Sequence, residues 1–141
     1  MKKLSAASLL AICALGLLAA RAEAGDLTVD VSGIRSDKGQ VLVTIYDKAE
    51  NWNSFSSPVA RQQVAASKKG VVLHFQLPPG TYALELMHDE NGNGKLDKNV
   101  MGIPSEGYGY SNNPNPMRRA NFDEAKFVMS DAGLTLQVKM R

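Results

Sequence analysis

Asp89, Asn91, Asn93 and Asp97 place side-chain oxygens at alternating positions of the stretch His88-Asp89-Glu90-Asn91-Gly92-Asn93-Gly94-Lys95-Leu96-Asp97, with Gly94 set among them. Hard oxygen donors at this spacing are what a chain uses to wrap around Ca²⁺. The four residues fill positions one, three, five and nine of the twelve-residue calcium loop, the Lys95 carbonyl falls at position seven, and Gly94 falls at the sharp turn. The twelfth position departs from the pattern. It is Val100, where a bidentate glutamate is expected, and Glu106 is the candidate replacement because Gly102-Ile103-Pro104 can bend the chain back. Among the four loop donors only Asp89 and Asp97 carry formal charge, and Lys95 and Lys98 lie beside them, so the expected affinity is weak, about 10⁻⁴ to 10⁻³ M. The competing reading is a tight turn without metal, since Asn, Asp and Gly also favour turns through local side-chain to backbone hydrogen bonds.

Strands must carry this loop. Leu27, Val29 and Val31 alternate with polar residues, and Val41 to Ile45 form a β-branched run, so 27–32 and 40–46 are expected as a strand hairpin across the turn cluster Ser36-Asp37-Lys38-Gly39. Residues 47–57 read as a loop in which Trp52 and Phe55 plug one end of the core. Residues 58–66 read as a strand with Gln62, Val64 and Ala66 on one face. Val71, Leu73 and Phe75 alternate again, Leu77-Pro78-Pro79-Gly80 forces a turn with Gly80 free to take positive φ, and 82–88 return as a strand. Two further strands, 125–129 and 134–140, flank Ser130-Asp131-Ala132-Gly133. About seven short strands without a long amphipathic helix predict an all-β fold, a single antiparallel β-sandwich of the transthyretin-like or immunoglobulin-like kind. The exception is 89–121, which has five glycines, three prolines and no sustained periodicity. Loops this long inside a compact domain are usually functional or disordered.

Lys2 and Lys3 precede an apolar run ending at Ala22-Glu23-Ala24, the pattern of a secretory signal peptide over 1–24. A lipoprotein signal at Cys13 is disfavoured by the bulky Ile12. Cleavage after Ala24 would leave 25–141 as one β-sandwich domain, without cysteine and hence without disulfides. Removing Lys2, Lys3, Arg21 and Glu23 takes the basic count from 16 to 13 and the acidic count from 14 to 13, so the formal net charge falls from +2 to zero. That balance points to neither a nucleic-acid nor a membrane partner. Lys68-Lys69 and Arg118-Arg119 read as solvated turns. The expected location is secreted or periplasmic.

Catalytic chemistry has thin material. His74 falls on a strand face and His88 at a strand end, where packing or a hydrogen bond to the loop is the simpler role. Asp89, Glu90, Asp97 and Glu106 are carboxylates of the type used on glycosides, but that chemistry depends on their separation. No G-x-S-x-G elbow, H-E-x-x-H pair or phosphate-cradling glycine loop occurs. The expectation is a structural or binding module rather than an enzyme. A glycan- or peptide-binding surface built from Tyr108, Tyr110, Trp52 and nearby asparagines is the alternative, with a carboxylate-based hydrolase behind it.

The His88–Asp97 stretch, together with Gly102-Ile103-Pro104-Ser105-Glu106-Gly107-Tyr108-Gly109-Tyr110-Ser111-Asn112-Asn113, resembles a bacterial secreted family classed only as a domain of unknown function. The resemblance spans the whole expected mature chain and is silent on activity. Leu77-Pro78-Pro79-Gly80-Thr81-Tyr82 is also similar to a strand turn of transthyretin-like and collagen-adhesin B-type sandwich domains, which implies a stalk, spacer or accessory role.

Overall fold

The computed structural model describes residues 22–141, so the expected signal peptide lies, apart from its last three residues, outside the described residues. Eight strands and two short helices follow in the order β1 (Gly25–Ser32), β2 (Gln40–Tyr46), α1 (Ala49–Ser54), β3 (Ala60–Ala65), β4 (Val71–Leu77), β5 (Gly80–Asp89), β6 (Tyr108–Tyr110), α2 (Phe122–Ala125), β7 (Lys126–Met129) and β8 (Leu134–Lys139). They form two sheets. One has the order β4-β1-β8; the other runs β3-β2-β5-β6, with β7 on the same edge of β5 as a second partner. The chain is mostly β, as its period-two patterning predicts.

Alternation explains the core. Leu27, Val29 and Val31 of β1 and Leu73 and Phe75 of β4 face Val41, Val43 and Ile45 of β2 and Leu84 and Leu86 of β5 in one buried cluster. Each such side chain contributes about 1.5–3 kcal/mol when fully removed from water. A second, smaller cluster joins Tyr46, Trp52, Ala83, Tyr110, Ala120 and Ala125. It lies on the other face of the second sheet, because Tyr46 and Ala83 alternate with the core residues Ile45 and Leu84.

The structure corrects several expectations. β1 and β2 do not form a hairpin: β1 is taken by β4 and β8, and β2 by β3 and β5. The connection crosses between sheets, with Ile34 buried in the core on the way. β4 and β5 are likewise split between sheets. The Pro78-Pro79 step lacks the N–H donors of a hairpin turn, and Tyr82 Oη donates to the Pro78 carbonyl at 2.8 Å. Gly80 is not a positive-φ residue; it opens β5 in extended form. Pairing is antiparallel except for β1–β8, which is parallel, Leu27 opposite Leu134 through Ser32 opposite Lys139.

Helix α1 replaces part of the loop expected over 47–57. It ends where Phe55 adopts a left-handed conformation, φ 53°, and the N–H groups of Phe55 and Ser56 cap Trp52 and Asn51 carbonyls. Trp52 is fully buried, as a core plug should be, whereas Phe55 is exposed. The strand expected from residue 125 begins at Lys126, because Asn121 and Glu124 form a reciprocal capping box that turns 122–125 into α2. The stretch 89–121 is also more ordered than its composition implies. It contains β6 and a small hairpin over 97–105, in which the Ser105 N–H donates to the Asp97 carbonyl and the Asn99 N–H to the Ile103 carbonyl.

Arg118 forms a two-pronged ion pair with Glu124 at 2.8 and 3.0 Å. That contact, together with the Asn121 backbone N–H, holds the Glu124 carboxyl at about 2, below its ordinary 4.5. The stabilisation it gives is therefore complete above about pH 4.5 and is lost as pH falls toward 2. Carbon-detected NMR titration of Glu124 in the Arg118→Ala protein is expected to show the carboxyl titrating back toward its ordinary range; an unmoved midpoint would mean the helix cap alone sets it.

Candidate functional site

Asp89 ends β5, and its carboxylate is turned into the loop that follows. Oδ1 accepts the N–H groups of Gly92 at 2.8 Å and Asn93 at 3.1 Å, and Oδ2 accepts that of Gly94 at 2.8 Å. Although charged, Asp89 is only 4% exposed. Gly94 takes φ +73°, a conformation a side chain would strain. Asn91 and Asn93 make successive Asx turns, accepting the N–H groups of Asn93 and Lys95 at 3.0 and 2.9 Å. Their amide N–H₂ groups point to the Asp97 carboxylate, Asn93 reaching Oδ1 at 2.8 Å and Asn91 reaching Oδ2.

Glu106 does fold back onto this loop. Its buried carboxylate spans the two sides, accepting the Glu90 N–H at 2.9 Å on one oxygen and the Asp97 N–H at 3.0 Å on the other. Asp89, Asn91, Asn93, Asp97 and Glu106 thus belong to one hydrogen-bonded unit. Among the described residues there is no cluster of three or more His, Cys, Asp or Glu side chains arranged to hold a metal ion. The donor set is oxygen-only, which suits a hard cation, and Asp97 would exchange its two amide partners for the ion.

Sequence reading misses the brace beneath the loop. Ser36 Oγ donates to Glu90 Oε1 at 2.8 Å, Arg35 donates to the Ser105 carbonyl at 2.8 Å, and Gly39 packs so closely that an added Cβ would lie 2.0 Å from the Asp89 carbonyl oxygen. These contacts join residues far apart in the chain, and the turn cluster at 36–39 carries no local mark of them. His88 is fully buried, its Nε2 donating to the Lys38 carbonyl at 2.7 Å, while Nδ1 lies 3.7 Å from Glu90 Oε1 without a hydrogen bond. His88 is a packed residue tied to the turn under the loop. His74 is exposed on the first sheet, away from the loop, with Thr28 Oγ1 of the neighbouring strand 3.3 Å away.

The loop walls a cleft. The cleft, about 740 Å³ in volume, opens on the outer face of the second sheet. Strand register builds its floor: Arg61, Thr44, Glu85 and Tyr110 lie side by side in one cross-strand row, and Leu42, Met87 and Tyr108 in the next. Gly94, Lys95, Leu96 and Lys98 of the loop, with Ile103 and Pro104 of its hairpin, form one wall; Asn115 to Arg119 form another. Arg119 is no solvated turn residue. It pairs with Glu85 at 2.7 Å and stacks on Trp52 and Phe55, 4.3 and 4.1 Å from their ring centroids. Tyr46 Oη also donates to Glu85, and burial, followed by the Glu85 charge, raises the Tyr46 pKa above 10. Tyr110 shifts the same way, again chiefly through burial. Tyr108 and Tyr110 line the cleft, and Tyr110 also closes the second core, whereas Trp52 lies entirely within that core and offers no ring face to a ligand.

No helix among the described residues is long and apolar enough to cross a membrane. No curated protein and no solved structure matches the chain. A protein-family model matches over residues 29–137, from within β1 to within β8 and across the loop and most of the cleft lining, and the chain accordingly belongs to the bacterial family described as "uncharacterized protein conserved in bacteria (DUF2141)".

Proposed function

We propose that this protein is an exported binding module, a β-sandwich whose ligand enters the cleft on the outer face of the second sheet, and whose Asp89–Asp97 loop serves as a Ca²⁺-responsive wall of that cleft. The observation that carries the reading is the shared use of one loop: the segment with cation-type oxygen spacing is also the segment whose Gly94, Lys95, Leu96 and Lys98 border the cleft. Asp89, Asn91, Asn93, Asp97 and the Lys95 carbonyl are the donors assigned to the ion. Glu106 supports them by holding the Glu90 and Asp97 backbone in place around the loop. Export rests on the Lys2-Lys3 and apolar leader pattern at the N-terminus.

Calcium binding to the folded state alone would raise stability by mass action, by about 1–3 kcal/mol when the ion exceeds its dissociation constant several- to a hundredfold. Millimolar Ca²⁺ added to EDTA-treated protein is therefore expected to raise the melting temperature by a few degrees, and Asp89→Asn to abolish the rise. A melting temperature indifferent to both EDTA and Ca²⁺ removes the ion from this reading and leaves the cleft.

A further inference from the structure

We propose, building on the assignment of the cleft as the binding site, that its ligand is a single-chain anionic amphiphile, an acyl chain ending in a carboxylate or comparable acidic head group. Charge is the first observation. The lining carries six basic side chains and one acidic one, Glu85. Glu85 is already matched by Arg119, and Arg118 by Glu124. Arg61, Lys95, Lys98 and Arg141 remain, and none has an ion-pair partner among the described residues. Arg61 stands on the β3 side and Lys95 and Lys98 on the loop side, so cations border the cleft from two directions, which favours a concentrated negative charge.

The second observation is the surface between those cations. Leu42 and Met87 on the floor are half-buried, and Leu96, Ile103 and Pro104 flank them on one wall, with Met117 fully exposed on the other. Exposed apolar side chains gathered about a concavity, unlike single ones scattered over a surface, mark a binding site. The volume lies within the ~300–1,000 Å³ of small-molecule sites. A neutral glycan fits less well. The one carboxylate on the floor is held by Arg119 and Tyr46, which leaves little acceptor capacity for sugar hydroxyls.

Isothermal titration with dodecanoate below its micellar range, at low salt, tests this. Dodecanoate is expected to bind in the micromolar range, dodecyltrimethylammonium with the same chain and opposite charge at least about tenfold more weakly, and butyrate undetectably. In the Arg61→Glu/Lys98→Glu protein, altered at two exposed positions, dodecanoate binding should fall about tenfold or more and the cationic amphiphile should gain. Equal binding of the two amphiphiles by the wild-type protein, a result independent of how the variant folds, overturns the proposal. So does binding of oligosaccharides or an acidic peptide, rather than dodecanoate, at the Tyr108 and Met87 resonances, although the cleft as binding site then survives. No perturbation of those resonances by any of these ligands overturns both readings.

Discussion

Replacing Trp52 with alanine is expected to cost about 3–5 kcal/mol, the range for removing a buried aromatic whose site cannot collapse. Trp52 is fully buried in the second core, edge-on to Tyr46 with centroids 5.7 Å apart, and close to Tyr110 and Phe122 at 5.9 and 6.4 Å. Its Nε1–H donates to the Ala120 carbonyl at 2.9 Å, so truncation also leaves a buried acceptor without its partner, and Arg119 loses one of its two aromatic faces. Against a total of about 5–15 kcal/mol for a domain, that is a large share. Urea unfolding gives the value directly. The control is Phe55→Ala, 59% exposed on the other side of Arg119, which should stay within about 1 kcal/mol of wild type. Because Trp52 anchors Ala120, the variant should also loosen the 115–119 wall, visible as faster amide exchange there. A loss below about 1 kcal/mol would mean that the second core contributes little beyond its shape.

Asp89→Ala is the other large effect, expected at about 2–4 kcal/mol. One buried carboxylate collects three loop N–H groups, and hydrogen bonds to a charged acceptor are the stronger kind. Water can reach the exposed Gly92, Asn93 and Gly94 once the carboxylate is gone, so the full sum of three charged bonds is not lost. Asp89→Asn keeps one acceptor oxygen and should fall between. The accompanying readout is hydrogen exchange at the Gly92 and Gly94 amides, which should accelerate in Asp89→Ala more than in Glu106→Ala. Unchanged exchange at both glycines would show that the Asx turns of Asn91 and Asn93 hold the loop unaided.

Much of this organisation is legible in the residues because it is local. Period-two alternation marks β1 and β4, and the Asp-Asn-Asn-Gly-Asp spacing marks a side-chain-organised loop whichever reading of it is taken. What the alternation cannot encode is partnership: Val29 looks the same whether it pairs across a hairpin or, as here, with Leu73 on one side and Leu136 on the other. The brace of Arg35, Ser36 and Gly39 is hidden for the same reason, since its partners Ser105, Glu90 and Asp89 lie far along the chain, 70 residues away for Arg35 and 54 for Ser36. Arg119 beside Arg118 reads as a solvated turn because the ring faces and the Glu85 carboxylate that receive it come from two distant elements, α1 with its C-cap Phe55 and β5. Helix α1 escapes detection because it is shorter than two turns, and tertiary burial of Trp52 rather than helix propensity sustains it. The cleft is wholly a product of register: neighbours such as Leu42, Met87 and Tyr108 exist only after three strands align.

The parallel ladder between β1 and β8 has a kinetic meaning. β1 is the central strand of its sheet, yet one of its two partners is the last strand of the chain. As the polypeptide emerges from the N-terminus onward, β1 can meet β4 early, but its other edge waits until residues 134–139 have been delivered. Loop-closure entropy makes such distant pairing slow. Until then an apolar strand stands with one edge bare, which makes the nascent chain a substrate for holding factors and exposes it to wrong pairings. Truncation within 134–139 should therefore trap a species that is collapsed but not cooperatively folded, rather than one that merely melts a few degrees lower.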